Sequence, residues 1–183
     1  EEEIRLNRRL APDLYLKVIP ITGTEAEPEL DGTGEVIDYA VQMVQFSQEN
    51  LLSHAIEQGT LTAAQIDSLA QEVAGFHAKI DIADDDMEYG TAEKIMAPVE
   101  ENFRHLGELF SSEPSVLEMV ALIRKENERW HESHRSLLSQ RNSGGFIREC
   151  HGDMHLNNMI LSEKGVTIFD CLEFNAALRW VDV

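Results

Sequence analysis

The first part of the chain carries two strand patterns separated by turn residues. Residues 15–21 are mostly apolar and predict a strand, and residues 36–46 alternate apolar with polar positions and predict a second one. Residues 23–34, between them, are rich in glycine and acidic residues and predict a hairpin loop. Residues 1–10 begin with an acidic turn, end before Pro12 and predict a helix. A helix and a small β-structure therefore open the chain.

Helical periodicity dominates the middle of the chain. Residues 50–58, 91–110 and 114–141 predict three helices, and the capping box Thr-Ala-Ala-Gln at residues 62–65 opens a further one. Apolar spacing along that helix predicts a continuous buried stripe of Ile66, Leu69, Ala70, Val73, Phe76, His77 and Ile80. The inward face predicted for the helix at residues 114–141 holds Leu117, Val120, Ile123, Trp130, His134 and Leu137.

Near the C-terminal end, two short apolar runs flank a turn. Residues 159–161 and 166–169 are apolar, and residues 162–165 have turn chemistry, so a β-hairpin is predicted. A hairpin reverses the chain, and we therefore expect Asp170 to return towards Asn158.

Asp153, Asn158 and Asp170 have the residue types and the spacing that phosphoryl transfer from ATP requires. A carboxylate must orient the acceptor hydroxyl and take its proton, and oxygen ligands must hold Mg²⁺ against the phosphates. Asp153 can be that carboxylate, and Asn158 follows it at the Asp-to-Asn interval of the protein-kinase catalytic loop. Asp170 can supply the second metal ligand. The sequence thus predicts a phosphotransfer site.

The same residues allow other interpretations. Asp153 and Asn158 can be turn formers that cap a hairpin. His151, Asp153 and His155 form an H-x-D-x-H pattern, which is also a plausible ligand set for a metal-dependent hydrolase. That hydrolase would need further ligands, and none stands at a convincing interval. His155 can orient a phosphate or simply hold the loop.

These motifs resemble a known family. The sequence H-G-D-x-H-x-x-N at residues 151–158, followed by Phe-Asp at 169–170, is similar to the signature of the aminoglycoside phosphotransferase and choline kinase-like branch of the protein-kinase fold. Residues 2–10, 169–175 and 178–182 resemble, more narrowly, a bacterial group of aminoglycoside phosphotransferase-like proteins.

The resemblance implies an α+β, protein kinase-like two-lobe fold, with a partial small β-lobe, a mainly helical large lobe and a catalytic β-hairpin. It places the remainder of the N-terminal lobe and the hinge at residues 1–46, and the helical C-terminal lobe with the catalytic loop at residues 47–183. The hinge backbone is expected to bind the adenine of ATP through Met43, Val44, Gln45 and Phe46; the equal alternative is that these residues are only the end of a strand.

The resemblance also assigns roles to single residues. Asp153 would be the catalytic base, and Asn158 and Asp170 would hold Mg²⁺. His151 would brace the catalytic loop. Asp182 matches a buried aspartate of the family that accepts backbone hydrogen bonds from this loop.

Glutamates at both ends of the chain leave alternatives open. Glu173 lies close enough in sequence to Asp170 to be a second metal-facing carboxylate, but a structural hydrogen-bonding role is preferred. One of Glu1, Glu2 and Glu3 is expected to pair with the family's ATP-binding lysine, and a merely solvated helix start is an equal alternative. That lysine and the glycine-rich phosphate loop are expected before residue 1, and several helices after residue 183.

The charge and composition of the chain limit the kinds of molecule that it is expected to bind. With 15 Lys and Arg against 34 Asp and Glu, the net charge of −19 argues against a nucleic-acid partner or an anionic membrane surface. The chain has no signal peptide and no apolar run near the roughly 20 residues that cross a bilayer, which predicts a cytoplasmic location. Cys150 and Cys171 are interpreted as small buried hydrophobic residues rather than as zinc ligands with His151.

We therefore expect an ATP- and Mg²⁺-dependent phosphotransferase that acts on a hydroxyl group of a small molecule. Two alternatives stay open: a catalytically impaired kinase-like module that regulates or binds a partner, and a metal-dependent hydrolase. The acidic residues 81–88 are interpreted as a solvated turn, because they lack the glycine and the terminal glutamate of an EF-hand.

Overall fold

A computed structural model of the protein describes residues 1–84 and 86–183, so Asp85 of the predicted acidic turn lies outside the described residues. The helices are α1 (Glu2–Asn7), α2 (Leu52–Glu57), α3 (Ala63–Lys79), α4 (Ala92–Leu109) and α5 (Pro114–Ser143). The strands are β1 (Tyr15–Gly23), β2 (Pro28–Leu30), β3 (Val36–Met43), β4 (Ile147–Glu149), β5 (Met159–Ser162), β6 (Gly165–Ile168) and β7 (Trp180–Asp182). Helices and strands both contribute, and the predicted α+β class is confirmed.

The chain divides into two compact units. The first unit comprises Glu1–Lys79 and His151–Arg179, and the second comprises Ile80–Cys150 and Trp180–Val183. The first unit thus contains α1 to α3, β1 to β3 and the β5–β6 hairpin. The two units do not follow the predicted division at residue 46, which concerns the lobes of a kinase-like fold and stays a prediction.

Strands β1, β2 and β3 form an antiparallel sheet in the first unit, in the order β2-β1-β3. Val18 of β1 lies opposite Val41 of β3, and Ile21 lies opposite Leu30 of β2. Strand β2 lies in the segment for which only a loop was predicted. Each of its residues is exposed, so no buried apolar position marked this strand in the sequence.

Two apolar clusters hold the first unit together. Ala11, Leu14 and Tyr15 are buried in one cluster, against which Ile160 of β5 and Phe169 pack. The other cluster consists of Leu52 and Ala55 of α2 with Met159 and Ile168 of the hairpin. Each fully buried side chain of the larger kind contributes about 1.5–3 kcal/mol. Because both clusters include hairpin residues, the hairpin is fixed against α2 and against the start of β1.

The capping box predicted for α3 is present, and two other helices begin with residues that suit a helix start. Thr62 donates its backbone N–H to Oε1 of Gln65 (2.8 Å), and Gln65 donates its N–H to Oγ1 of Thr62 (3.3 Å), which completes the capping box of α3. Thr91 caps α4 by accepting the N–H of Lys94 (3.2 Å). Pro114 occupies the first turn of α5, where its missing N–H is tolerated.

The buried stripe predicted along α3 is only partly right. Phe76 is buried, and Leu69 and Val73 pack against the cluster of α2 and the hairpin. Ile66 is 44% exposed, and Ala70 is exposed as well. The apolar cluster that α3 packs against reaches along the helix only as far as Leu69. Ile66, one turn earlier, lies beyond the cluster and is exposed.

In the second unit, α4 packs on α5, and β4 pairs antiparallel with β7. Glu149 lies opposite Trp180, whose ring stacks on Tyr89 with a centroid separation of 5.9 Å. No helix within the described part of the chain has an apolar stretch long enough to span a bilayer.

The inward face predicted for α5 is wrong at three positions. Ile123, Trp130 and Leu137 are 48%, 57% and 48% exposed. Leu117 and Val120 are half-buried, as predicted. Apolar residues occupy more than one side of this helix, and the pattern alone does not say which side α4 covers.

Candidate functional site

The candidate site begins at His151, which is buried and follows β4 in sequence. Its Nε2–H donates to the carbonyl oxygen of Phe169 (3.0 Å), and its Nδ1 accepts the backbone N–H of Asp153 (3.3 Å). These two bonds together require a neutral ring that is protonated at Nε2. Burial lowers the pKa of His151, although the bond to Phe169 and the charge of Asp153 act in the opposite direction. The ring thereby ties Asp153 to the strand end that precedes Asp170.

Asn158 restrains the carboxylate of Asp153. Its side chain is nearly buried, and Nδ2 donates both to the backbone oxygen of Asp153 (3.0 Å) and to its Oδ2 (3.2 Å). Among the residues that the structure describes, Oδ1 of Asn158 has no hydrogen-bond partner. An amide oxygen is a ligand type that hard divalent cations accept, so Asn158 can hold Asp153 and bind a metal with different atoms.

His155 sits at the outer side of the loop. Its Nε2 lies 3.4 Å from Oδ2 of Asp153, and both side chains are about half exposed. Its Nδ1 accepts the N–H of Asn157 (3.2 Å) and caps the short 3-10 turn Leu156–Asn158. The structure therefore gives His155 a loop-holding role, and its role towards a phosphate stays a prediction.

The predicted hairpin is present and brings Asp170 to the loop. Met159 lies opposite Ile168, and the N–H of Phe169 donates to the backbone oxygen of Asn158 (2.9 Å). Asp170 itself is exposed, and within residues 1–84 and 86–183 its carboxylate makes no hydrogen bond or ion pair. The carboxylate is thus available to a cation.

Further carboxylates lie near Asp170. Burial raises the pKa of the half-buried Glu3, and the charges of Glu173 and Asp170 raise it further. Glu2 behaves differently, because its carboxylate accepts from Arg5 (2.6 Å), which lowers its pKa. Glu3, Glu173 and Asp170 therefore form a group of like charges in the first unit.

The hydrogen-bonding role predicted for the Glu173 side chain is not observed. Its backbone oxygen accepts from Nη1 of Arg179 (3.1 Å), but in the described part of the chain its carboxylate has no hydrogen-bond or ion-pair partner. The alternative, that Glu173 faces a metal, stays a prediction.

No protein-family model and no solved structure matches the chain. Similar curated proteins include an uncharacterised protein of Mycobacterium bovis and uncharacterised proteins of two strains of Mycobacterium tuberculosis. Each is 24% identical to this chain over 182 residues, which is 98% of the chain. The chain spans only about a third of their length, 34% in each case. The names of these proteins state no activity.

The predicted hinge residues are Met43, Val44, Gln45 and Phe46. Val44 donates its N–H to the oxygen of Leu14 (2.9 Å), so this donor is already used. Met43 is half-buried at the end of β3, and the Phe46 ring packs edge-on against Phe169 with centroids 5.2 Å apart. An adenine contact here stays a prediction, and the Val44 N–H is not available for it.

Asp182 lies in the second unit, on β7. It accepts hydrogen bonds from Nε (2.7 Å) and Nη2 (2.6 Å) of Arg141 on α5. Its observed partner is thus an arginine side chain, and the acceptor role towards the catalytic loop stays a prediction.

The described residues bring together no group of three His, Cys, Asp or Glu side chains that could hold a metal ion. The hydrolase alternative requires such a group, so the structure adds no ligand to it. A Mg²⁺ ion bound with ATP needs fewer protein ligands, because phosphate oxygens and waters complete its coordination. Cys150 and Cys171 are both buried, as their interpretation as small hydrophobic residues requires.

Sequence reasoning missed three residues that support the site. Asn7 is buried and joins the oxygen of Glu3 (3.0 Å) to the N–H of Cys171 (2.7 Å). Tyr15 accepts the N–H of Asp170 (3.1 Å), and the buried Arg179 donates to Glu2 (2.8 Å). Asn7 is the last residue of α1, where a polar residue is ordinary, so no signal in the sequence marks it.

Proposed function

We propose that the protein transfers the γ-phosphoryl group of ATP to a hydroxyl group of a small molecule, in a Mg²⁺-dependent reaction on a protein kinase-like fold. The observation that carries this proposal is the convergence of Asp153, Asn158 and Asp170 at one end of the β5–β6 hairpin. One carboxylate is restrained by Asn158, and two further oxygen donors are uncommitted.

The donor set fits Mg²⁺. Oδ1 of Asn158 and the carboxylate of Asp170 would hold the ion, and both are the oxygen ligands that Mg²⁺ prefers. When bound, Mg²⁺-ATP supplies the phosphoryl group, and the metal offsets the negative charge of the phosphates. The chain's own contribution is mainly positioning and electrostatics.

Asp153 would accept the proton of the acceptor hydroxyl. Half of its side chain is exposed, so a substrate can reach it, while the Nδ2 group of Asn158 limits the directions its carboxylate can take. His151 would act only through the backbone, because both of its ring nitrogens are already bonded. The acceptor hydroxyl is therefore oriented and deprotonated by one carboxylate.

Among Glu1, Glu2 and Glu3, we infer that Glu3 is the glutamate that pairs with an ATP-binding lysine. Glu2 is already bonded to Arg5 and Arg179. Glu3 instead lies among like charges, which raise its pKa beyond the effect of burial. A cation placed there would relieve this repulsion and would lie close to Asp170.

Isothermal titration of the full-length protein with ATP, with and without Mg²⁺, tests the proposal. We expect Mg²⁺-dependent binding in the wild type and its loss in Asp170→Asn. Asp13→Asn is the matched control, because the Asp13 side chain is 92% exposed and its ion-pair partner is the similarly exposed Lys164 of the hairpin turn (3.7 Å), not a residue of the proposed site. A wild-type protein without Mg²⁺-dependent binding would overturn the kinase proposal in favour of a regulatory module. Phosphoester hydrolysis with Zn²⁺ or Mn²⁺ and no ATP requirement would favour the hydrolase.

A further inference from the structure

Asp170 has a backbone conformation that requires support. Its φ is +62°, in the left-handed region that residues other than glycine adopt rarely, although Asp and Asn adopt it more often than most. Such a conformation persists only where the surroundings determine it, and it is concentrated at functional sites. Asp170 is also the exposed carboxylate to which the proposed function assigns a metal.

Side chains from three segments hold the peptide groups around Asp170. Oη of Tyr15 accepts the N–H of Asp170 itself (3.1 Å). On one side, Nε2 of His151 donates to the oxygen of Phe169 (3.0 Å), and on the other side Oδ1 of Asn7 accepts the N–H of Cys171 (2.7 Å). The Tyr15 bond is the one made directly to the residue with the left-handed backbone.

Packing alone does not require the hydroxyl of Tyr15. The residue is 1% exposed and belongs to the apolar cluster of Ala11 and Leu14. A phenylalanine ring would fill the same volume, and burying a hydroxyl is unfavourable unless it is hydrogen-bonded. A phenol hydroxyl can act as an acceptor as well as a donor, and Oη of Tyr15 uses this capacity to accept the Asp170 N–H.

We propose that Tyr15 is a positioning residue for Asp170: its hydroxyl fixes the peptide of Asp170 in the conformation from which the carboxylate binds Mg²⁺. This inference rests on the proposed function. Tyr15 would act through Asp170, and in this role it touches neither the metal nor the nucleotide.

Hydrogen exchange of the Asp170 amide, measured by NMR without ligand, tests the hydrogen bond. In Tyr15→Phe we expect this exchange to become about tenfold faster, because the amide loses its acceptor while the ring is kept. Tyr39→Phe is the matched control, since Tyr39 of β3 is 65% exposed. Unchanged exchange of the Asp170 amide in Tyr15→Phe overturns the proposal.

Titration of ATP with and without Mg²⁺ then tests the positioning role in the same variants of the full-length protein. We expect the Mg²⁺-dependent gain in ATP affinity to fall about tenfold in Tyr15→Phe, while affinity for ATP without Mg²⁺ is unchanged. An equal loss with and without Mg²⁺ indicates a merely structural hydroxyl and overturns the proposal. If the wild type shows no Mg²⁺-dependent gain, the proposed function fails, and the positioning role fails with it, even when the exchange result stands.

Discussion

Buried polar side chains of the first unit and exposed charged pairs of the second contribute differently to the structure. In the first unit, Asn7, His151 and Asn158 are almost completely buried, and each bonds to backbone groups of a distant segment or of the loop at residues 151–158. A buried donor or acceptor that loses its partner costs about 1–3 kcal/mol. These residues therefore determine the conformation of the candidate site.

In the second unit, charged side chains pair on the helix surfaces. Arg124 of α5 donates to Glu128 one turn later (3.0 Å), and Arg129 pairs with Glu126 (2.7 Å). All four side chains are about half exposed or more, and such pairs contribute about 0–1 kcal/mol each. The number of polar contacts therefore says little about their contribution to stability, because that contribution depends on how deeply the contacts are buried.

The largest expected effect is at Asp153. If the proposed function holds, Asp153→Asn should slow phosphoryl transfer by about 10²–10⁴-fold, because the acceptor hydroxyl loses its base. Mg²⁺-ATP binding should persist, since the proposed metal ligands are Asn158 and Asp170. Steady-state kinetics and isothermal titration measure the two effects separately.

Asp13→Asn serves as the control for this substitution and should keep wild-type activity, because its side chain is 92% exposed and its ion pair with Lys164 is on the surface. An Asp153→Asn protein with unchanged turnover would exclude Asp153 as the base. A protein that loses nucleotide binding instead would place Asp153 among the metal ligands.

Two asparagines test whether a buried side-chain amide contributes more to stability than an exposed one. Asn7→Ala should lower the free energy of unfolding by about 2–4 kcal/mol, because the Cys171 N–H and the Glu3 oxygen both lose a partner. Asn127 of α5 is exposed and donates only to Ile123 of its own helix (3.0 Å). Asn127→Ala should change stability by less than about 0.5 kcal/mol.

Urea unfolding followed by circular dichroism suits this pair, because both tryptophans, Trp130 and Trp180, belong to the second unit. Fluorescence alone would report mainly that unit. Equal losses of stability in the two variants would contradict the contrast between the units.

Two glycines, one in each unit, should respond in opposite ways to substitution by alanine. Gly152 has a φ of +88°, and an added Cβ would lie 3.0 Å from Cβ of Leu172 and 3.2 Å from Cβ of Arg179. Gly152→Ala should therefore cost more than about 1 kcal/mol from backbone strain alone, and crowding should add to this. Gly107 of α4 has open space around its Cβ position, and Gly107→Ala should stabilise the helix by about 0.5–1 kcal/mol. Thermal unfolding of the two variants should shift in opposite directions.

Local features of the fold were predictable, and long-range ones were not. The β5–β6 hairpin was predicted because its apolar runs and its turn are adjacent in sequence, and the capping box of α3 is contained in four residues. The support of Asp170 was not predicted, because Tyr15 lies 155 residues before it in the chain. Likewise, Asn7 reaches Cys171 across 164 residues. A single sequence gives no sign that such residues meet, even when it marks the candidate site residues.

The exposed face of α5 shows a second limit. Helical periodicity correctly predicted a helix, and it predicted Leu117 and Val120 as inward residues. It could not exclude Trp130 or Leu137, because apolar residues on a second side of the helix give the same periodicity.

The smallest expected effect is on the thermal unfolding temperature, and it differs between two carboxylates. Glu3 of the first unit lies among like charges, whereas Glu126 of the second unit pairs with Arg129. Burial, followed by the charges of Glu173 and Asp170, raises the pKa of Glu3 above its usual 4.5. A raised pKa in the folded state means that the protonated form is favoured there, so the contribution of Glu3 to stability is present below pH 4.5 and is lost as the pH rises through the folded-state pKa. Where no lysine pairs with Glu3, Glu3→Gln should therefore raise the thermal unfolding temperature at pH 7, and the gain should vanish in acid.

Glu126→Gln is the counterpart in the second unit. It removes the partner of Arg129, and the unfolding temperature at pH 7 should fall slightly or stay unchanged, because the pair is exposed. Measurements at low and high salt sharpen the test, since screening should reduce the Glu3→Gln gain. If Glu3→Gln instead destabilises the protein at pH 7, the favourable charge interactions of Glu3, such as the proposed lysine pair or its place in the first turn of α1, outweigh the repulsion inferred for this cluster.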